Sequence, residues 1–320
     1  MQGCEFKVKK RRKIKRTITI FITLILLSFI VIVGLYKTGI YRFDFIKDSY
    51  KKIDFKLNTN ELSIPRDALS FSVYDIKEGK YLYYEGDSQF PTVASLAKLF
   101  DIDYALKKVK LDDVIVVNQD VLNLVPEGSS LANLKPGEYT VKQIMQAMLV
   151  PSGNDAAYAL AYHIAKKDLG DGYAAVEYVN YFMEELNKYL IEEGYTKTSL
   201  YDDPSGASMQ ARTHLDDINR VALKLLDYDF VKECIDKPNF SIQTSQGEIT
   251  WENTNEFLNK KSPYYNANIK GIKTGTMASS YSIVVLYEKD GKTYLITCLA
   301  ALSNEGRYKA VQSAINTIIK

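Results

Sequence analysis

Histidine and cysteine are scarce in this chain of 320 residues, which holds two of the first and three of the second. His163 and His214 form no HExxH and no pair at metal-ligand spacing, which excludes a histidine-rich metal hydrolase. Both read as packing or surface residues. Cys4, Cys234 and Cys298 are too few and too scattered for a disulfide scaffold or a thiolate zinc site. Cys234 and Cys298 stand 64 residues apart, and nothing in that spacing argues for a bridge. Internal repeats and low-complexity tracts are also missing. The composition is otherwise globular: 46% apolar and 25% charged residues, which excludes wholesale disorder.

A basic excess is missing from most of the chain. Residues 1–17 hold eight Lys/Arg against Glu5 alone, so the remainder carries 33 bases against 38 acids under a formal net charge of +2. By charge the body is no nucleic-acid binder.

The basic block runs into Ile18–Tyr36, 19 residues without charge or proline. As a helix they span about 28 Å, close to the roughly 30 Å of a bilayer's hydrocarbon core. A dense cationic flank ahead of the span keeps the N-terminus cytoplasmic and places the rest of the chain outside. A cleaved signal peptide is the competing reading, but no A-x-A-like site comes after Val33-Gly34-Leu35-Tyr36-Lys37. The expected organisation is a cytoplasmic basic segment 1–17, a transmembrane anchor 18–36 in the lipid bilayer, a stalk 37–64 and a catalytic domain 65–320.

The body opens and closes with hairpin patterns. Residues 71–76 and 81–84 flank Lys77-Glu-Gly-Lys80, and residues 282–287 and 293–300 flank Lys289-Asp-Gly-Lys292. Between them the periodicity predicts helices at 94–107, 141–149, 155–166, 175–192 with Gly194 as its stop, and 214–227; another is expected at 306–319. Strands at both ends with helices between suggest an α+β fold, one antiparallel sheet built from the two termini with a helical lobe inserted.

Three short motifs carry chemistry. Ser95-Leu-Ala-Lys98 sets a hydroxyl and an amine on one face of a first helical turn, though taken alone it suits a surface serine and a solvated lysine equally well. A serine becomes a nucleophile when a base takes its proton, and lysine can be that base once burial or a nearby cation lowers its pKa. Ser152-Gly-Asn154 offers a second hydroxyl for proton relay and an amide to fix the lysine or a substrate peptide, though it suits a helix cap equally well. Lys273-Thr274-Gly275-Thr276 offers a cation and hydroxyls for a carboxylate, with a glycine that admits substrate backbone, or else an ordinary turn at a strand end. Its order, Lys-Thr-Gly, is not that of a phosphate loop.

Together, S-x-x-K, S-x-N and K-T-G in this order form the signature of serine penicillin-recognising enzymes. The surroundings resemble the D-alanyl-D-alanine carboxypeptidases, the low-molecular-mass penicillin-binding proteins: residues 91–99, Leu134-Lys-Pro-Gly137, residues 149–157, Asp203-Pro-Ser-Gly206, Trp251-Glu-Asn-Thr-Asn255 and residues 271–275. The resemblance runs from about Leu69 to Leu302. It implies a β-lactamase/penicillin-binding-protein-like fold, an antiparallel sheet flanked by helices beside a helical lobe. It implies Ser95 as the acylated nucleophile, Lys98 as its base, and Ser152 and Asn154 in proton transfer and amide binding. Lys273 and Thr274 are then implied to hold the terminal carboxylate, and the N–H groups of Ser95 and Thr276 the oxyanion. The implied substrate is a peptidoglycan stem peptide ending in D-Ala-D-Ala, the inhibitors β-lactams, and the setting a bacterial cell membrane; no metal or cofactor is required. One departure stands out: Thr276-Met-Ala-Ser-Ser280-Tyr lacks the family's usual Ala-Gly, so the loop beside the oxyanion hole is expected to differ.

Two rivals remain open on the residues. Glu184-Glu-Leu-Asn187 is similar to the E-x-x-L-N of class A β-lactamases, but its charges fall within the helical stripe of 175–192, where they suit a solvated face. A non-catalytic, membrane-tethered wall-binding protein of the same fold is the other.

Overall fold

A computed structural model of the protein describes residues 68–86, 89–317 and 319. The basic segment, the apolar run and the stalk expected over 1–64 lie outside the described residues. Among the described residues no helix is long and apolar enough to cross a membrane.

Both terminal hairpins form. Strand β1 (Ala68–Asp75) pairs with β2 (Lys80–Glu85), and β8 (Ser280–Lys289) with β9 (Lys292–Ala301). The second closes through Asp290 and Gly291, whose φ of 52° and 71° suit the primed two-residue turn that Asp-Gly favours. With β7 (Ile269–Met277) they make one antiparallel sheet in the order β2-β1-β9-β8-β7. Strands β1 and β9 run side by side from Ala68↔Ala301 to Asp75↔Tyr294, so the two ends of the body do build the sheet.

Consecutive residues of β8 and β9 are buried, which requires cover on both faces because neighbouring side chains point oppositely. Helix α6 (Leu215–Leu225) packs on β1 and β9, and α8 (Asn304–Thr317) on β1, β8 and β9. Asn219 of α6 fixes the register: it donates to Ser72 Oγ at 2.9 Å and accepts from Thr297 Oγ1 at 2.6 Å, two residues directly opposite on β1 and β9. All three side chains are buried.

The helical lobe centres on α1 (Ala97–Lys108), where Ala97 through Ala105 are all buried. A helix covered on every side belongs in the middle of a protein, and this one takes Lys98, Asp101 and Asp103 there with its apolar residues. Around it stand α3 (Val141–Leu149), α4 (Asn154–Leu169) and α5 (Ala175–Glu192), with Gly194 at φ 80° ending the last, as its position suggests. A Thr140/Gln143 capping box starts α3. The helix expected at 94–107 divides into a 3-10 turn (Ala94–Leu96) and then α1.

The periodicity missed short or polar elements. The hairpins β3 (Val114–Val117) with β4 (Gly137–Thr140), and β5 (Asn239–Thr244) with β6 (Gly247–Glu252), were not expected, nor were α2 (Gln119–Leu122) and α7 (Asp229–Ile235). Four-residue strands and strands rich in Asn, Ser, Gln and Thr give little apolar alternation to read.

Candidate active site

The three motifs come from three parts of the fold and meet at the head of α1. Ser95 lies in the 3-10 turn, Lys98 in the first turn of α1, Ser152 and Asn154 at the start of α4, and Lys273–Thr276 along β7. The 3-10 turn that carries Ser95 packs directly on β7. A β-carbon at Gly275 would stand 3.3–3.4 Å from Leu96 and Ala94, so only glycine keeps strand and turn in unforced contact. Thr92 Oγ1 donates to Ser280 Oγ at 3.1 Å and ties the segment ahead of the turn to β8.

Lys98 is fully buried, yet its amine has three oxygen neighbours: Ser95 Oγ at 3.0 Å, Asn154 Oδ1 at 2.8 Å and the Ser205 carbonyl at 3.2 Å. Burial pulls its pKa from 10.5 down to about 8, against an upward pull from Asp101, Asp203 and Asp155. A neutral amine has two N–H groups and one lone pair. The two carbonyl oxygens, of Asn154 and Ser205, accept the N–H groups, which leaves the lone pair to face the Ser95 hydroxyl. That is the arrangement a general base needs.

Asn154 is therefore no helix cap. Gly153 occupies the cap of α4 without a side-chain bond, and the Asn154 amide is turned to the lysine. Ser152 is buried with φ 62°, and Ala94, next to Ser95, has φ 49°. Left-handed backbone at non-glycine residues costs about 1–3 kcal/mol and persists where the surroundings enforce it. Here a neighbour enforces it: Gly206, at φ 78°, presses so closely on Ala94 that a β-carbon would collide with the Ala94 carbonyl.

On the strand side, the Lys273 amine is buried and donates to the Thr274 carbonyl at 2.9 Å. Burial, with Lys98 and Arg307 nearby, holds its pKa well below the usual lysine range. The Thr274 and Thr254 hydroxyls are 2.6 Å apart. The turn beyond Thr276 is short, with Met277 paired to Ser280 and Ala278 at φ 50°.

Several contributors carried no assigned role in the sequence. Ser205 supplies a carbonyl to Lys98, and Asp203 orders that loop by accepting from Ser205 N, Ser205 Oγ and Tyr158 Oη. Asp155 accepts the backbone N–H groups of Ala132 and Leu134 at 2.8 and 2.9 Å, while Trp251 Nε1 donates to the Ala132 carbonyl. These segments lie within the resemblance, which was their only signal. Arg307 of α8 had none: its Nη1 donates to Gly275 O, Thr276 Oγ1 and Ser282 O at 3.0–3.2 Å. Glu184 is exposed on α5, and Asn187 is engaged by Met183, Leu200 and Tyr201. His214 caps α6 and His163 is half-buried on α4. Cys234 and Cys298 are buried thiols.

Known proteins share this arrangement of sequence and fold. The chain is 24% identical over 281 residues to the D-alanyl-D-alanine carboxypeptidase DacF of Bacillus subtilis, covering 85% of this chain and 62% of the relative. It is 28% identical over 250 residues to a D-alanyl-D-alanine carboxypeptidase of a Streptomyces species, covering 74% and 82%. The chain thus spans about three fifths of some relatives' length. The Streptomyces K15 DD-transpeptidase crystal structure superposes with a TM-score of 0.68 at 23% identity, over 82% of this chain and 99% of that one. A penicillin-binding protein of Listeria monocytogenes in its ampicillin-bound form gives 0.63 at 22% identity, over 81% and 100%. These likenesses establish the penicillin-binding-protein type of α+β fold. The family model for D-alanyl-D-alanine carboxypeptidase, Peptidase_S11, matches residues 58–301, and the chain belongs to that family.

Proposed function

We propose that the protein is a serine D-alanyl-D-alanine carboxypeptidase that removes the terminal D-Ala from peptidoglycan stem peptides through an acyl-serine intermediate. The observation that carries this reading is the buried Lys98 amine, 3.0 Å from Ser95 Oγ, with its N–H groups taken by Asn154 and Ser205. Lys98 accepts the hydroxyl proton as Ser95 Oγ bonds the carbonyl carbon of the D-Ala-D-Ala peptide bond. Backbone N–H groups of Ser95 and Thr276 receive the oxyanion. Ser152 passes a proton to the departing amine as the carbon–nitrogen bond breaks, and water then releases the acyl group by the reverse traffic through Lys98. Asn154 holds the substrate amide. Lys273 and Thr274 meet the terminal carboxylate, whose arrival raises the proton affinity of Lys273, and Gly275 lets the substrate backbone approach. β-Lactams acylate the same serine.

The full-length protein in detergent, incubated with a D-Ala-D-Ala pentapeptide, is expected to release one alanine by mass spectrometry and to be labelled by a fluorescent penicillin. Ser95→Ala abolishes both while circular dichroism stays unchanged. Normal labelling of that variant refutes the assignment of nucleophile. Rapid release of the bound penicillin, with no alanine produced, favours a β-lactamase instead.

Residues 18–36 anchor the protein in the bacterial cell membrane, with 1–17 cytoplasmic and the catalytic domain outside. The support is the uncharged 19-residue run behind eight cations. Full-length protein is expected in the membrane fraction, its domain digested by protease added to intact spheroplasts; protection of the domain there refutes the orientation.

A further inference from the structure

Helix α1 carries a second ionisable group into the interior that the acyl-transfer reaction leaves unused. Asp101 lies one helical turn beyond Lys98, fully buried, and neither of its carboxylate oxygens has a hydrogen-bond partner among the described residues. Burying an acid without partners is costly, so its neighbourhood must explain it. The other acids around α1 are engaged. Asp103 accepts from Tyr189, Tyr195 and Lys224, Asp155 from the Ala132 and Leu134 amides, Asp203 from Ser205 and Tyr158, and Asp217 from Thr198 and the Lys197 amide. Of the cations, Lys224 is held by Asp103 and Glu193, while Lys273 and Arg307 serve β7. His214 uses Nδ1 to accept the Asp216 amide. Lys98 is the cation one turn before Asp101 on α1, and the field of Lys98 and, with the same sign as its own, Asp203 acts on Asp101.

We propose that Asp101 is a positioning residue for Lys98, a buried counter-charge that holds the proton on the amine and so sets the pH at which the base becomes free. The inference rests on the reading of Lys98 as the general base. Burial pushes the Asp101 carboxyl well above the ordinary carboxylate range, while the Lys98 cation pulls it back. Two groups so placed titrate as a pair. The ionised Asp101 carboxylate opposes loss of the Lys98 proton from one helical turn away. Of the acids raising the Lys98 pKa, Asp101 contributes most.

Asn has the shape of Asp without its charge. In Asp101→Asn the amine therefore loses its proton at lower pH, and the acid limb of acylation moves the same way. At pH 6 the labelling rate, taken relative to its plateau, should rise roughly tenfold over wild type. Carbon NMR of lysine labelled at Cε, with the Lys98 resonance assigned by its loss in Lys98→Arg, reads the amine's titration directly in the full-length protein. A lower midpoint in Asp101→Asn, returned upward in Asp101→Glu, supports the proposal, and Asp101→Ala supplies the same reading if the amide does not fit. An unchanged midpoint overturns it, whatever the melting temperature does, since a purely structural aspartate alters stability without moving the titration. A lowered midpoint with an unmoved acylation profile supports the coupling of the two residues and refutes Lys98 as the base.

Discussion

A lysine held between two carbonyl oxygens and a serine hydroxyl works only when it has lost a proton. With the Lys98 pKa lowered to about 8, the amine is mostly protonated at pH 6 and mostly free at pH 9. The rate of acylation by a penicillin should therefore rise about tenfold per pH unit on the acid side and level off above about pH 8, as a stopped-flow pH series would record. A flat profile from pH 5 to 9 would contradict a lysine base. The pairing of Ser95 with Lys98 was legible from its motif. Asn154 illustrates what was not: Pro-Ser-Gly-Asn-Asp is equally good cap chemistry, and only the distance of 2.8 Å to Lys98 separates the two uses. Ser205 acts through its backbone, which no side-chain pattern announces.

Between elements, α8 reaches β7 through a single side chain. Arg307 is buried at 6% exposure, and one of its nitrogens satisfies the carbonyls of Gly275 and Ser282 and the Thr276 hydroxyl. Arg307→Met keeps much of the apolar stem and strands those acceptors, at a cost of about 2–4 kcal/mol. Thermal unfolding should fall by about 2–4 °C for each kcal/mol lost. Penicillin acylation should fall as well, because the same residues line the strand beside Ser95. A variant that melts early but acylates at the normal rate would show that α8 braces the sheet without shaping the site. Long amphipathic helices and the terminal hairpins could be read from periodicity, and α3 and α5 matched their expected ranges. Arg307 could not: it reaches its partners across the edge of the sheet, 31 residues beyond Thr276, and tertiary proximity leaves no mark in local sequence.

Over the whole molecule, the chain leaves the sheet after β2, builds the lobe, and returns at β7 to finish beside its starting strand. The first residue of β1, Ala68, sits opposite the last of β9, Ala301, and α8 then runs back over β9, β8 and β1 for about 21 Å. Such a path is nearly a closed ring, so the order of its segments is a historical detail for the folded domain rather than a physical requirement. A circular permutant joining the end of α8 to Ala68 through about a dozen flexible residues, and opened in the exposed turn between Asp171 and Gly172, should fold and still react with penicillin. In that form any tether attached to either new end would hang from the helical lobe, far along the chain from Ala68, and would present the Ser95 cleft at a different angle.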